Sequence, residues 1–283
     1  MSAPPRAVLI TGCSSGIGRA AADTLRGRGY RTFATARRAA DVERLAADGH
    51  ESLRLDLTDA GSIDAAIDEI LDRTSGRLYG LFNNGGFGQP GAVEDVSVEA
   101  LRAQFETNVF GWHAVIRRVL PGMRAAGSGR IVQNSSVLGL VALRYRGAYV
   151  ASKFAIEALT DAMRLELRGS GVRISLIEPG PITSRFRANA HEAFKRHIDV
   201  DASPHRDVYR AVLGRLESGD EKAPFELPES AVVAKLVHAL ESPRPRLRYY
   251  VTVPTYALGY LKRVLPSRAL DAVLNAISDA ELR

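Results

Sequence analysis

The chain has 283 residues, 46% of them hydrophobic, and a formal net charge of +6, so it can bury a large α/β core. Its one cysteine, Cys13, excludes an internal disulfide framework and is typical of a cytoplasmic protein, and the sequence predicts neither a metal site nor a membrane span. The basic residues are scattered and are not interleaved with aromatic residues, so we expect an anionic cofactor rather than nucleic acid.

Short apolar runs alternate with segments of helical spacing through most of the chain. Strands are predicted at 6–11, 31–36, 52–57, 78–83, 130–135 and 172–178, and helices at 17–28, 42–47, 62–71, 98–120 and 149–168. This alternation predicts a parallel sheet with helices on both faces. We therefore expect a single domain, residues 1–283, with a Rossmann-type doubly wound α/β fold and ligands at the carboxyl ends of the strands.

The pattern changes after residue 189. The stretch 190–228 is polar, contains proline and is weakly periodic, whereas 230–240 has the spacing of an amphipathic helix and 248–253 that of a last strand. The tail from about 254 to 283 is apolar, with basic residues such as Lys262 and Arg263. We expect a lid or a subunit contact there. Contact with a membrane surface is the less favoured alternative, and Pro266 interrupts any helix in the tail.

A glycine-rich loop, Thr11-Gly-Cys-Ser-Ser-Gly-Ile-Gly18, lies between the first predicted strand and helix. Glycines allow a tight turn and close approach of the backbone to a pyrophosphate, and the amino end of a helix attracts its charge. The spacing G-x-x-x-G-x-G differs from the general G-x-G-x-x-G pattern, and a turn without a ligand is the alternative. The location in the first strand–turn–helix unit favours a dinucleotide site. Its predicted contacts are Gly12, Ser14, Ser15, Gly16, Ile17 and Gly18.

The end of the second predicted strand bears on which nicotinamide dinucleotide is bound. An NAD-specific site usually has an acidic residue there, to hold the ribose hydroxyls. This chain has Ala36-Arg37-Arg38, so no carboxylate repels a 2′-phosphate and Arg37 could pair with it. Arginine is common throughout the chain, which weakens the argument from Arg37, but the missing acid favours NADP over NAD.

Tyr149 and Lys153 lie four residues apart on a predicted helix and therefore share a face. A free tyrosine has a pKa of about 10, and a nearby ammonium favours the phenolate; lowering that pKa by about 3 units requires roughly 4 kcal/mol. Ser136 ends a predicted strand thirteen residues earlier, so its hydroxyl could donate to the oxygen of a substrate. An exposed helix pair and a turn-forming serine are the structural alternatives.

These motifs occur in the order found in the short-chain dehydrogenase/reductase family, which the chain resembles over about residues 6–190. Besides the glycine loop they are Asn83-Asn84-Gly85, Asn108, Ser136, Tyr149-x-x-x-Lys153 and Pro179-Gly180. As a whole the chain is similar to bacterial NADP-dependent members that resemble 17β-hydroxysteroid and retinol dehydrogenases. It departs from the family in having Gly85 where alanine is common, and Ser184 where the family commonly has threonine.

The resemblance implies roles for several further residues. Asn108 would hold a water in the proton relay, Asp56 would contact the adenine, and Asn84 with Gly85 would support the adenosine ribose. The remaining cofactor contacts would be Tyr149, Lys153, Pro179, Gly180 and either Thr183 or Ser184. The segment 181–228 would form a flap over the substrate, and helices 98–120 and 149–168 would pair between subunits in a homodimer or homotetramer.

The sequence thus predicts an NADP(H)-dependent oxidoreductase that interconverts a carbonyl and an alcohol, with Tyr149 as the general acid/base. A lipophilic aldehyde or ketone would suit the apolar residues of the flap, which could equally pack onto the core; they are Phe186, Phe194, Ile198, Val208, Tyr209 and Phe225. A non-catalytic NADP-binding redox sensor is the alternative function, and a nucleotide-sugar epimerase is a more distant one. Trp112, His113 and Cys13 are interpreted as structural.

Overall fold

The computed structural model describes residues 5–218 and 224–282. Within these residues seven parallel strands form one sheet in the order β3-β2-β1-β4-β5-β6-β7. The strands are β1 (Ala7–Ile10), β2 (Arg31–Ala36), β3 (Glu51–Arg54), β4 (Leu78–Asn83), β5 (Gly129–Asn134), β6 (Val172–Glu178) and β7 (Arg248–Tyr250). The strand order reverses between β1 and β4, and the carboxyl ends of these two strands therefore flank the crevice in which such sheets bind ligands.

Helices cover both faces of the sheet. They are α1 (Gly16–Gly27), α2 (Ala39–Ala47), α3 (Ala60–Thr74), α4 (Val98–Phe105), α5 (Gly111–Ala125), α6 (Gly147–Glu166), α7 (Phe186–His197), α8 (Arg206–Ser218), α9 (Glu229–Glu241), α10 (Val253–Val264) and α11 (Ser267–Leu282). A π-helical segment, Glu106–Phe110, joins α4 to α5, and a short 3-10 helix, Val137–Gly139, follows β5.

The alternation of side chains along each strand supplies two separate core layers. Leu9 points to one face and packs in a cluster with Trp112 and residues of α3, α5 and α6. Val8 and Ile10 point to the other face and pack with Leu236 and residues of α1 and α9. Both faces are buried around the central strands, which explains why β1 is apolar throughout, whereas the edge strand β3 is polar and only partly buried. The predicted doubly wound parallel sheet with helices on both faces is confirmed.

Four predicted elements differ from the observed ones. The last strand, predicted at 248–253, ends at Tyr250, and α10 begins at Val253. The third strand ends at Arg54 rather than at residue 57, because Asp56 starts a turn in which its Oδ1 accepts hydrogen bonds from the backbone and hydroxyl of Thr58. The predicted helix 98–120 is interrupted by the π segment. The predicted flap, 181–228, contains α7 and α8, and its residues 219–223 lie outside the described part of the chain.

The carboxyl-terminal tail packs onto the domain as two helices separated at Pro266. Leu274 and Ile277 of α11 contact the apolar cluster that follows β5. Arg144, in the segment that precedes α6, forms an ion pair with Asp279 of α11. This ion pair fastens α11 to that segment. Among the helices of the described residues, none has both the length and the hydropathy of a membrane span.

Candidate active site

The glycine-rich loop between β1 and α1 is packed so closely that side chains would not fit at its glycines. Gly12 has φ +74°, and a Cβ there would lie 2.5 Å from the Cα of Gly85. A Cβ on Gly18, in the first turn of α1, would lie 2.2 Å from the carbonyl oxygen of Gly12. Gly16 has φ +57° and faces Ser184. The loop therefore requires glycine, and its bare backbone can approach a ligand closely.

The amino end of α1 is suited to a phosphate group. Its N-cap residue, Ser15, makes no side-chain capping hydrogen bond, and the first turn contains no acidic residue. The amino end of a helix carries a partial positive charge of about half an elementary charge, together with backbone N–H groups that lack partners in the helix. Ser14, Gly16 and Ile17 lie at the same place. This cradle fits the pyrophosphate of a dinucleotide.

A chain of hydrogen bonds links this loop to Lys153. The Asn84 amide Nδ2 donates to the carbonyl oxygens of Thr11, at 3.0 Å, and Gly12, at 3.3 Å. Asn134, the last residue of β5, donates from Nδ2 to the Asn84 Oδ1 at 2.9 Å. The Asn134 carbonyl oxygen in turn accepts a hydrogen bond of 2.8 Å from the Lys153 Nζ. The loop and the lysine are thus held in fixed relative positions by the ends of β1, β4 and β5.

Trp112 supports the same arrangement, although the sequence analysis interprets it as structural only. Its indole Nε1 donates to the carbonyl oxygen of Gly85 at 2.6 Å, and the Lys153 Nζ lies 4.4 Å from the centre of its ring. That distance permits a cation–π interaction. Trp112 is the only tryptophan of the chain, but a residue type that occurs once does not by that fact indicate a functional site. Asn134 was likewise missed, because a single asparagine at a strand end carries no recognisable pattern.

Tyr149 and Ser136 meet beside Lys153. A hydrogen bond from Ser136 lowers the pKa of Tyr149, but burial outweighs it and raises that pKa to about 12. Burial also lowers the pKa of Lys153 to about 7, against the field of Glu157. The predicted lowering of the tyrosine pKa by the lysine is therefore not observed. The Lys153 Nζ points at the Asn134 carbonyl and the Trp112 ring, and burial disfavours charge on both side chains.

Asn108 lies in the π segment and joins the loop after β4 to α6. Its Oδ1 accepts from the backbone N–H of Phe87 at 3.2 Å, and its Nδ2 donates to the Phe87 carbonyl at 2.9 Å. The Nδ2 also lies 3.2 Å from the Ser152 hydroxyl, which donates to the carbonyl of Tyr149. π segments occur frequently at functional sites. The role of Asn108 in holding a water stays a prediction.

The sequence left open whether Thr183 or Ser184 contacts the cofactor, and the two hydroxyls have different neighbours in the structure. The Thr183 hydroxyl donates to Glu226 at 2.7 Å. Ser184 lies against the loop, with its Cβ 3.2 Å from where a Cβ on Gly16 would be. Pro179, just before this segment, accepts a hydrogen bond of 2.8 Å from Val137. A Cβ on the adjoining Gly180 would lie 2.1 Å from the Thr252 hydroxyl.

The adenosine side of the candidate site is rich in arginine. Arg37 follows β2 and is exposed, and its carbonyl accepts a hydrogen bond from Arg54. Arg44 of α2, which the sequence analysis missed, donates from Nη2 to the carbonyl of Ser14 at 2.9 Å and to Asp41 at 2.8 Å. It was missed because α1 and β2 separate it from the loop in sequence. Asp56 lies two residues beyond the end of β3.

One aromatic residue of the flap reaches the candidate catalytic tyrosine. The Phe186 ring, at the start of α7, lies 5.3 Å from the Tyr149 ring, and a Cβ on Gly88 would lie 2.9 Å from Phe186. Other apolar flap residues pack in a separate buried cluster with Ala92; they are Phe194, Ile198 and Tyr209. Phe225 is exposed. The flap residues are thus divided between the candidate site and ordinary packing.

Comparison with known proteins places this geometry in a family. The family model for short chain dehydrogenases matches residues 6–195. An uncharacterized oxidoreductase, YbbO, from Escherichia coli K12 is 43% identical over 95% of this chain and 94% of its own length. Human retinol dehydrogenase 8 is 34% identical over 95% of this chain and 89% of its own length. An NADPH-dependent 3-dehydrocapnine reductase from Ornithobacterium rhinotracheale is 31% identical over 95% of both chains.

A solved structure agrees with these relatives over nearly the whole chain. A short-chain dehydrogenase/reductase from Burkholderia phymatum, in complex with NAD, superposes with a TM-score of 0.75 and 26% sequence identity, covering 96% of this chain and 95% of its own. The chain belongs to the short-chain dehydrogenase/reductase family of oxidoreductases.

Proposed function

We propose that the chain is an NADP(H)-dependent oxidoreductase that interconverts a lipophilic aldehyde or ketone and the corresponding alcohol, with Tyr149 as the general acid/base. The observation that carries the proposal is the hydrogen-bonded chain from the glycine loop through Asn84 and Asn134 to Lys153. It fixes the glycine loop relative to Lys153, which lies one helical turn after Tyr149 on α6, and this supports a cofactor beside the tyrosine.

When NADPH is bound, it supplies a hydride to the carbonyl carbon. Tyr149 keeps its proton at neutral pH, because burial raises its pKa to about 12, and it can donate that proton as negative charge develops on the substrate oxygen. Ser136 donates a hydrogen bond to the same oxygen. Lys153 is proposed to hold Tyr149 in place, and Asn108 is proposed to hold a water of the proton relay. Both side chains are buried and hydrogen-bonded within the site.

The preference for NADP rests on charge beside the glycine loop. Arg37 is exposed at the end of β2, where an NAD-specific site usually has an acid, so its guanidinium is available for a 2′-phosphate. Arg44 adds a second cation at Ser14, although Asp41 neutralises part of its field. The relative from Ornithobacterium rhinotracheale, named as NADPH-dependent, supports this choice.

The proposed lipophilic substrate rests on the apolar surroundings of Tyr149. The Phe186 ring contacts the tyrosine ring, and Gly88 leaves room for Phe186. The apolar cluster after β5, which includes Val137 and Leu138, also packs against Tyr149. A carbonyl with a long apolar chain would bury that chain here at a gain of about 0.8 kcal/mol per CH₂. The similarity to retinol dehydrogenase 8 agrees with such a substrate.

The decisive experiment is NADPH oxidation against aldehydes and ketones of increasing chain length, with NADH in parallel. We expect turnover with NADPH that improves with chain length. Tyr149→Phe should lower kcat by about 10²-fold or more while leaving NADPH binding intact, because only the proton donor is removed. Tyr256→Phe, at an exposed tyrosine of α10, is the matched control. Turnover retained in Tyr149→Phe would refute the role of the phenol. Tight NADPH binding without turnover in the unmodified protein would favour the redox-sensor alternative.

We also propose a homodimer or homotetramer that pairs α4, α5 and α6 between subunits. Helices α4 and α6 and the π segment that precedes α5 expose large apolar side chains, namely Leu101, Phe110, Leu159 and Leu165, and Leu165 is 72% exposed. Burying such residues in a second copy would remove apolar surface from water. Light scattering during size-exclusion chromatography gives the mass directly. A monomer of about 30.6 kDa would contradict the proposal.

A further inference from the structure

A buried cluster of carboxylates lies behind Lys153, and the proposed chemistry does not use it. Glu157 of α6 and Glu178 at the end of β6 have side chains that are 8% and 0% exposed. The Arg248 Nη1 forms ion pairs with both, and its Nη2 donates to Asp161 at 2.7 Å. One guanidinium thus faces three carboxylates, so it does not neutralise all of them.

The Glu157 carboxylate meets Ser135, the residue that follows the end of β5. Burial raises the pKa of Glu157, and a hydrogen bond from the Ser135 hydroxyl lowers it. A Cβ on Gly139 would lie 2.7 Å from the Ser135 Oγ and 3.0 Å from the Glu157 Oε1, so both atoms border one small space. Ser135 follows Asn134, whose carbonyl accepts the lysine hydrogen bond. Glu157 therefore pairs with Arg248 through Oε2, and its Oε1 lies beside the residue that follows the Asn134 carbonyl to which Lys153 is bonded.

Glu157 is also one helical turn from Lys153, and side chains four residues apart on a helix are neighbours at about 5–6 Å between Cβ atoms. The other charged or titratable groups around this pair are Tyr149 and Asp161 of α6, Glu178 of β6, Arg248 of β7, and Lys262 and Arg263 of α10. Burial raises the pKa of Glu178 to about 8 and also raises the pKa of Glu157. The ion pairs of Arg248 with the two carboxylates oppose both shifts.

We propose that Glu157 is a positioning residue that keeps the buried Lys153 ammonium charged, acting from one turn further along α6. The inference rests on the proposed function, because that proposal assigns Lys153 to the active site. The buried ammonium has a carbonyl and an aromatic ring as its contacts, neither of which carries a formal charge. Burial lowers the pKa of Lys153 to about 7, and the negative charge of Glu157 opposes that lowering.

The test is a direct titration of the lysine side chains. The chain contains five lysines, so ¹³Cε-lysine labelling gives five NMR signals, and Lys153→Arg identifies the signal of Lys153. In Glu157→Gln we expect the titration midpoint of Lys153 to fall by about one pH unit or more, since a charge at this separation is lost. Glu157→Asp keeps the charge and should restore most of the shift. An unchanged midpoint in Glu157→Gln would overturn the proposal.

Asp161→Asn is the matched control. It removes a carboxylate from the same Arg248 and the same helix, but Asp161 is 44% exposed and one turn further from Lys153. We expect its Lys153 midpoint to equal that of the unmodified protein; an equal fall in both variants would refute a specific role for Glu157. If Glu157→Gln does not fold, Glu157→Asp still gives a smaller fall in the same direction. The titration needs neither substrate nor cofactor, so failed turnover would contradict the proposed function without affecting this result.

Discussion

Replacing Gly18 with alanine should weaken cofactor binding although it places a better helix former in α1. Alanine in a helix is normally more stable than glycine by about 0.5–1 kcal/mol. Here the new Cβ would lie 2.2 Å from the Gly12 carbonyl oxygen, and contacts under 3.0 Å essentially never occur, so the glycine loop must move by at least 0.8 Å. Overpacking of this kind costs about 1–3 kcal/mol. Because the displaced loop is the proposed pyrophosphate cradle, we expect the Kd for NADPH to rise about 10- to 100-fold.

The assay is a titration of NADPH fluorescence, accompanied by thermal unfolding without cofactor. Gly27→Ala is the matched control in the same helix, because a Cβ there meets nothing within 4 Å. It should leave the Kd unchanged and raise the Tm slightly. If Gly18→Ala binds NADPH as tightly as the unmodified protein, then the close contact between Gly18 and Gly12 does not shape the cofactor site, and the reasoning is refuted.

Three further predictions concern single side chains. Arg37→Ser should raise the Kd for NADPH about 10-fold or more and leave that for NADH nearly unchanged, because it removes one charged partner of the 2′-phosphate; equal losses for both cofactors would contradict the assignment. Trp112→Phe leaves the partly buried Gly85 carbonyl without its indole donor and should cost about 1–3 kcal/mol of stability in chemical denaturation. Glu178 has a pKa raised to about 8, so its contribution to stability is present below about pH 4.5 and lost as the pH rises through 8; Glu178→Gln should flatten that decline in unfolding titrations.

The order of strands and helices and the main parts of the candidate site could be predicted because they are encoded over short distances. Strand and helix periods, the glycine spacing of the loop and the Tyr149–Lys153 separation all lie within about 12 residues of sequence. A parallel sheet then brings the carboxyl ends of its strands together without further information. The end of β3 and the π segment at Asn108 could not be predicted, because a turn at Asp56 and a local widening of a helix leave the hydrophobic pattern unchanged.

What the sequence by itself determined is the doubly wound sheet, the glycine cradle and the identity of the candidate catalytic side chains. Only the tertiary structure decided which neighbours those side chains have. It placed Ser184 rather than Thr183 against the loop, connected Lys153 to Asn84 through Asn134, and surrounded Tyr149 closely enough to raise its pKa. The physical reason is that hydrogen bonds and desolvation depend on distances between residues far apart in the chain, which no local pattern records.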